Sequence, residues 1–188
     1  PVAVTSTLFL FYVETALEAP GWEGPLLLLF FLSAAVAAPF WGMLAERFGA
    51  KPVLLGAMIL AIAAFATVLL LGPGDIWLFA LVCLGSGAAL GADLTLLPAL
   101  FATRLEKIAP SAAEGFGLWS LVSKFTLAFA AVTLLPALEI AGFKSGAPSN
   151  PPDAILTLTW LYAGLPCGLK VLAIMVLAGT GLREDSDT

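Results

Sequence analysis

A few ionisable side chains interrupt long apolar stretches of the chain, and these residues are the most able to carry chemistry. Lys124 and Lys170 lie well inside two such stretches, and Asp93 lies inside a third. A charged group at the middle of a membrane-spanning helix costs roughly 2.5 to 3.5 kcal/mol on insertion scales, so such groups are functional candidates by default. An amine donates hydrogen bonds to hydroxyls or carboxylates, whereas an ionised carboxylate only accepts them. The chemistry predicted is therefore the binding of polar or charged partners.

Lys124 is the first candidate because of its depth and its neighbours. It lies about nine residues beyond Gly115, which places it roughly 13 Å into its predicted helix. Gly117, Ser120 and Lys124 share one face by helical spacing, and this face is small and polar in apolar surroundings. The pattern predicts that Lys124 and Ser120 line a cavity and contact a solute. The alternative is a lysine whose amine reaches a membrane interface.

The other ionisable candidates have ordinary explanations beside the functional ones. Lys170 follows Pro166 near the centre of the last apolar stretch, and we expect its amine to extend toward the headgroups. Asp93 either pairs with Arg104 near its helix end or faces the cavity. Glu14 lies near an external helix end, where a solvated carboxylate costs little, and it is a candidate for the outer mouth of the cavity.

Aromatic side chains near these groups offer surfaces for a sugar ring. Tyr12 and Trp119 are the two that we assign to the cavity, because aromatic faces and hydrogen bonds together suit sugars. Each can equally be a packing residue or an interfacial anchor, and we favour that explanation for Trp160.

The sequence offers no enzyme signature. It contains no histidine, and it lacks HExxH, GxSxG and Walker motifs. Its two cysteines, Cys83 and Cys167, lie far apart in apolar stretches without metal-ligand spacing. We therefore predict no catalytic residues, no metal and no cofactor.

The elements that must position these residues are membrane-spanning helices. Hydrophobic residues make up 61% of the 188 and charged residues only 11%, whereas soluble domains have about 25% charged residues. A bilayer core of about 30 Å needs about 20 helical residues. A soluble all-α core would need polar faces that these stretches lack. Six stretches fit or nearly fit the bilayer: residues 2–17, 25–43, 52–71, 76–101, 115–141 and 154–182.

Two pairs of glycines have the GxxxG spacing that lets helices pack closely. They are Gly87 with Gly91 and Gly164 with Gly168. The first apolar stretch starts at Pro1 itself, so we expect a part of the protein to precede it. The fold class predicted is an all-α integral membrane bundle of six transmembrane helices.

The basic residues predict the orientation of this bundle. Five lie beside the second and fourth connections or after the last span, and the other connections hold one, Lys144. This distribution places the C-terminus in the cytoplasm of a multi-pass protein of the cell membrane, which in a bacterium is the inner membrane. The net charge of −5 gives no basic surface for nucleic acid. The five basic residues are Arg47, Lys51, Arg104, Lys107 and Arg183.

The segment GMLAERFGAK, residues 42–51, resembles the loop signature of the major facilitator superfamily, written GxLaDrxGrk. Gly42 should allow a neighbouring backbone to approach, and Gly49 should close its helix in a left-handed conformation. Glu46, Arg47 and Lys51 can form switchable ion pairs at the membrane face. An ordinary turn that obeys the positive-inside rule is the alternative.

Three longer segments resemble the C-terminal half of the glycoside-pentoside-hexuronide:cation symporter family. They are PVAVTSTLFLFYVETALEAPGWEGPLLLLFFLS, GADLTLLPALFATRLE and EGFGLWSLVSKFTLAFAAVTLLPALEIAGF. The resemblance implies one half of a twelve-helix major facilitator fold that takes up sugar-like solutes with H⁺ or Na⁺ by alternating access. It also implies that Lys124 matches a lysine of the eleventh helix, associated with the sugar and cation site. The partners expected are the solute, the cation, the lipid bilayer and an N-terminal half.

The fourth connection, ATRLEKIAPSAAEG, departs from this family pattern. It lacks the acidic and basic residues that sugar carriers have there. A different class of protein also stays open from the sequence, namely a non-transporting membrane scaffold or lipid-handling subunit built on the same helices.

Overall fold

The computed structural model describes residues 1–108, 112–147 and 149–179 of the chain. This part is all-helical, and its helices match the six predicted stretches in order. Five are long and apolar enough to cross a membrane, whereas the first, with 15 residues, is shorter. The helices are α1 (Val2–Ala16), α2 (Glu23–Phe48), α3 (Ala50–Val68), α4 (Ile76–Ile108), α5 (Ala112–Ile140) and α6 (Pro152–Gly179). The prediction of an all-helical membrane fold is confirmed.

Some helices extend beyond the apolar stretches that predicted them. α2 continues to Phe48 and α4 to Ile108, past the predicted ends at 43 and 101. A helix satisfies its own backbone hydrogen bonds, so it need not stop where the chain becomes polar. Arg183, on which part of the orientation depends, lies outside the described residues.

α1 and α6 each contain one turn of π-helix. The first ends α1 at Tyr12–Ala16, and the second lies within α6 at Trp160–Gly164. Pro166 follows the second turn. A proline has no backbone N–H to donate, and its ring clashes with the carbonyl four residues earlier in a regular α-helix. The wider turn therefore relieves the conflict that Pro166 creates in α6.

The closest helix contact joins α2 and α4. A side chain at Gly91 would have its Cβ 2.5 Å from the backbone oxygen of Ala34, and one at Gly87 would overlap the backbone oxygen of Phe30. Trp41 Nε1 of α2 also donates a 2.7 Å hydrogen bond to the carbonyl of Ala88 in α4. Close packing at the Gly87 and Gly91 pair is confirmed.

The second glycine pair makes no close helix contact within the described part of the chain. The atoms nearest to a Cβ at Gly164 belong to Trp160 of its own helix, and a Cβ at Gly168 would meet no described atom within 4 Å. Close packing at this pair stays a prediction, because spacing alone does not say which face of a helix meets a neighbour. Gly164 lies in the π turn.

The junction of α2 and α3 contains a single residue, Gly49. Its φ of 88° lies in the region that favours glycine, which confirms the need for glycine there. Its ψ of 147° differs from the predicted left-handed helical conformation. At Gly42 the expected close approach is absent among the described residues, since a Cβ would meet no atom within 4 Å.

α5 packs mainly through its C-terminal end. Ala130, Leu134 and Leu138 are buried there, whereas all of the described side chains of α5 before Ala130 are at least partly exposed. Near its other end, α5 touches α4 through Phe101, whose ring lies 5.0 Å from that of Trp119. The middle of α5 is therefore left uncovered by the described helices.

Candidate functional site

Lys124 lies on the uncovered middle of α5. Twelve residues separate it from the start of the helix at Ala112 and sixteen from its end at Ile140. Its side chain is exposed, as are those of Ser120 and Ala128, and Gly117 on the same face has open space around it. The structure thus brings together Lys124 and Ser120, as the helical spacing predicted.

No described residue neutralises this lysine. Among the hydrogen bonds and ion pairs of the described chain, none involves the side chain of Lys124 or Ser120. The nearby hydroxyls of Ser123 and Thr126 instead donate to carbonyls of their own helix, at 2.8 and 2.7 Å. The amine of Lys124 and the hydroxyl of Ser120 therefore remain available to a ligand or a further helix.

Trp119 lies on a different side of α5 from Lys124. Its ring packs against Phe101 of α4, and both line a cavity of about 300 Å³ with Leu118, Val122 and Ser123. Five positions on a helix turn the side chain by about 140°, which explains the separation from Lys124. Trp119 therefore makes no contact with the Lys124 face in the described structure, and its role in stacking on a sugar stays a prediction.

Asp93 and Lys170 form an ion pair inside the bundle. Lys170 Nζ lies 2.5 Å from Asp93 Oδ2, and the two side chains are 8% and 13% exposed. Asp93 stands near the middle of α4, and Lys170 stands on α6, nine residues before its end at Gly179. Two opposite charges of this kind compensate each other in a low-dielectric interior.

Two expectations about this pair need correction. Lys170 does not extend toward the headgroups, because its amine binds a carboxylate within the bundle. Asp93 is paired with Lys170 rather than with Arg104, although it also lines a cavity, as described below. Sequence reasoning missed the pairing because the partners lie 77 residues apart. The signal that could have suggested it was the presence of one acid and one base at mid-helix depth.

Tyr12 lies in the core, where its side chain is 2% exposed. Its ring stacks on that of Tyr162, with 4.5 Å between centroids, and its hydroxyl lies 3.4 Å from the carbonyl oxygen of Val68. The stack joins the π turn of α1 to the π turn of α6. In this conformation Tyr12 packs helices together instead of presenting its ring to a solute.

Glu14 lies in the last turn of α1, and its side chain is exposed. It borders a cavity of about 440 Å³ together with Glu18, Ser149 and Asn150. This cavity is separate from the Lys124 face. A role for Glu14 at an outer mouth stays a prediction.

The charged residues of the loop motif lie at the opposite end of the bundle. Glu46 and Arg47 are exposed in the last turn of α2, and the guanidinium carbon of Arg47 lies 5.2 Å from the ring centre of Phe48. Lys51 follows in the first turn of α3. Their predicted switchable ion pairs stay a prediction.

No cluster of three or more histidine, cysteine or acidic side chains in the described ranges could hold a metal ion. The mid-membrane chemistry of this part of the chain thus consists of one exposed lysine face and one internal ion pair.

Two comparisons with known proteins give matches to this chain. The family model described as "MFS/sugar transport protein" matches residues 1–183. The chain is also similar to the sodium-dependent lysophosphatidylcholine symporter 1 of Gallus gallus, with 24% identity over 158 residues. This match covers 80% of the chain and 30% of the relative, so the chain spans well under half of that protein.

Proposed function

This chain belongs to the MFS/sugar transport protein family, and on that premise we propose that it forms the C-terminal six-helix half of a cation-coupled symporter. The family makes it a membrane transporter rather than an enzyme. The solute proposed is a sugar or glycoside, carried by alternating access between two six-helix halves. The coupling ion is H⁺ or Na⁺, and the C-terminus lies in the cytoplasm of the cell membrane.

The exposed Lys124 face carries this proposal. A lysine at the middle of a membrane helix is costly when it faces lipid, so its surroundings must supply water, a ligand or an opposite charge. No described residue supplies that charge. A solute cavity between this half and an N-terminal half would supply all three, and it would cover the middle of α5 that the described helices leave open.

The chemistry of the Lys124 face suits a hydroxylated solute. The amine has three donors and the hydroxyl of Ser120 can donate or accept, so both can bind sugar hydroxyls. Gly117 and Ala128 on the same face leave room for a solute, since neither carries a large side chain. Lys124 is proposed as the principal solute contact and Ser120 as its companion.

A lysophospholipid-like solute is a second candidate, and two observations favour it. The relative from Gallus gallus is described as a sodium-dependent symporter of lysophosphatidylcholine. In addition, Leu121 and Phe125 beside Lys124 are exposed and apolar. An amine with apolar neighbours can bind a phosphate group while the neighbours contact an acyl chain.

Uptake by the full-length protein in proteoliposomes tests the proposal. Labelled methyl galactoside and labelled lysophosphatidylcholine are supplied separately, under an imposed gradient of Na⁺ or of H⁺. With one cation per solute, a tenfold cation gradient should drive about tenfold accumulation of the solute. Removal of the gradient should abolish accumulation while exchange of labelled for unlabelled solute continues.

The outcomes separate the candidates. Accumulation of the galactoside supports a sugar symporter, and accumulation of the lysolipid alone supports the second candidate. Folded protein that moves neither solute, with either gradient, would favour the non-transporting scaffold or lipid-handling subunit.

A further inference from the structure

The buried polar side chains of the described bundle gather at one place. Thr5 of α1, Ser86 of α4 and Lys170 of α6 are the buried polar or charged residues of the described chain. All three line a cavity of about 20 Å³ together with Asp93. Such a volume holds about one water molecule, so it is too small for a sugar or a phosphate ester.

The two hydroxyls at this place are already used within their own helices. Thr5 donates a 3.0 Å hydrogen bond to the carbonyl of Val2, and Ser86 donates a 2.6 Å bond to that of Val82. Neither neutralises a charge. Lys170 therefore depends on Asp93 for its compensation, and Asp93 depends on Lys170, since no described residue donates to its buried Oδ1.

The ion pair joins two helices that share little direct packing. α4 and α6 each pack extensively against α3. The Lys170 side chain reaches from α6 to Asp93 of α4, with Met58 of α3 beside the pair. Phe79 of α4 also lies 6.2 Å from the ring of Tyr162 in α6, so the ion pair adds a polar link between these two helices at a second depth.

A larger cavity of about 590 Å³ lies on the other side of the pair. Asp93 and Lys170 are the charged side chains that line it among the described residues, together with Pro1 and an apolar wall that includes Leu97, Ala173 and Val176. An anionic solute that bound there would have to displace Asp93 from Lys170, whereas a cation would find only Asp93 Oδ1, with the lysine charge beside it on Oδ2 opposing its binding. The geometry favours mutual compensation over ligand binding.

We propose that Asp93 and Lys170 act as one positioning pair that holds α6 on α4, and that neither is a ligand for solute or coupling cation. What the fold requires is then the absence of net charge at this place. Removal of one partner leaves an uncompensated buried charge, which is strongly destabilising, whereas removal of both leaves a neutral site.

Neutral variants of the full-length protein test this claim. Asp93→Asn and Lys170→Met singly should each lower the midpoint of thermal unfolding in detergent by about 4 to 6 °C in a protein of two six-helix halves. The double variant Asp93→Asn/Lys170→Met should recover to within about 2 °C of the original protein. Matched controls are Asp153→Asn and Lys144→Met, which make the same changes at exposed positions and should leave the midpoint unchanged.

Transport by the double variant distinguishes a positioning pair from a binding site, because loss of packing alone would not change the ion dependence of transport. The solute KM and the dependence on Na⁺ and pH should stay within about twofold of the original values. Loss of ion dependence in a folded double variant would overturn the proposal, because it would make the pair a coupling site. Equal instability of the single and double variants, or normal stability of the single variants, would overturn it as well.

The measurement of thermal unfolding midpoints does not depend on the proposed transport function. If either single variant fails to reach the membrane, the midpoint and ion dependence of the double variant against the original protein still decide the question.

Discussion

The two lysines that lie deep in membrane-spanning helices have opposite surroundings. Lys170 is buried in the bundle and bound to Asp93, whereas Lys124 is exposed on α5 without a partner among the described residues. Placing either charged side chain in an apolar environment costs a similar free energy, so the two lysines differ in what compensates that cost. The bundle meets it internally for Lys170. For Lys124 something outside the described helices must meet it, and that makes Lys124 the functional candidate.

The same contrast extends to the helices that carry these residues. α4 is held by glycine contacts with α2, by packing on α3 and by the ion pair to α6. α5 is fixed near its ends and open in its middle. α4 is thus closely packed on several sides, whereas α5 leaves a surface for a partner or a solute.

The largest effect is expected from a change at Lys124. Lys124→Met should lower kcat/KM for the transported solute by about 10- to 150-fold, because a charge-assisted hydrogen bond is worth about 1.5 to 3 kcal/mol. The thermal midpoint should change little, since the side chain packs against no partner in the described structure. Initial uptake rates at matched protein amounts measure the first quantity, and unfolding in detergent measures the second. Unchanged uptake would remove Lys124 from the site.

A smaller effect, on thermal stability, is expected from adding a methyl group at a glycine of α4 and at a glycine of α5. Gly91→Ala places a methyl group against the carbonyl of Ala34, and such overpacking costs about 1 to 3 kcal/mol. Gly117→Ala adds the same group in open space on α5, where alanine favours a helix by about 0.5 to 1 kcal/mol. We expect a lower unfolding midpoint for the first variant and an equal or higher one for the second. Equal midpoints would contradict the contrast in packing.

Much of the fold could be predicted because a lipid bilayer restricts which segments can cross it. A helix must be long and apolar to cross a bilayer, and the apolar stretches therefore indicated all six helices. The close contact at Gly87 and Gly91 was also predictable from spacing. The identical spacing at Gly164 and Gly168 brings no described helix close, since spacing alone does not say which way a helix face points.

The arrangement of the charged residues was less predictable. Helical periodicity relates residues three or four positions apart, so it placed Ser120 beside Lys124. It could not relate Asp93 to Lys170, whose contact depends on how α4 and α6 sit around α3. Nor could it show that Tyr12 stacks on Tyr162, because that contact depends on two π turns in distant helices.

The central claim is that Lys124 faces a water-filled solute path in the full-length protein, and cysteine labelling tests it most directly. Lys124→Cys and, as a buried control on the same helix, Ala130→Cys are made separately in a protein in which Cys83 and Cys167 are replaced by alanine. A charged, water-soluble thiol reagent should modify the cysteine at position 124, and the transported solute should slow that reaction. The cysteine at 130 should stay unmodified. A cysteine at 124 that resists the reagent, or reacts at the same rate with saturating solute, would contradict the account.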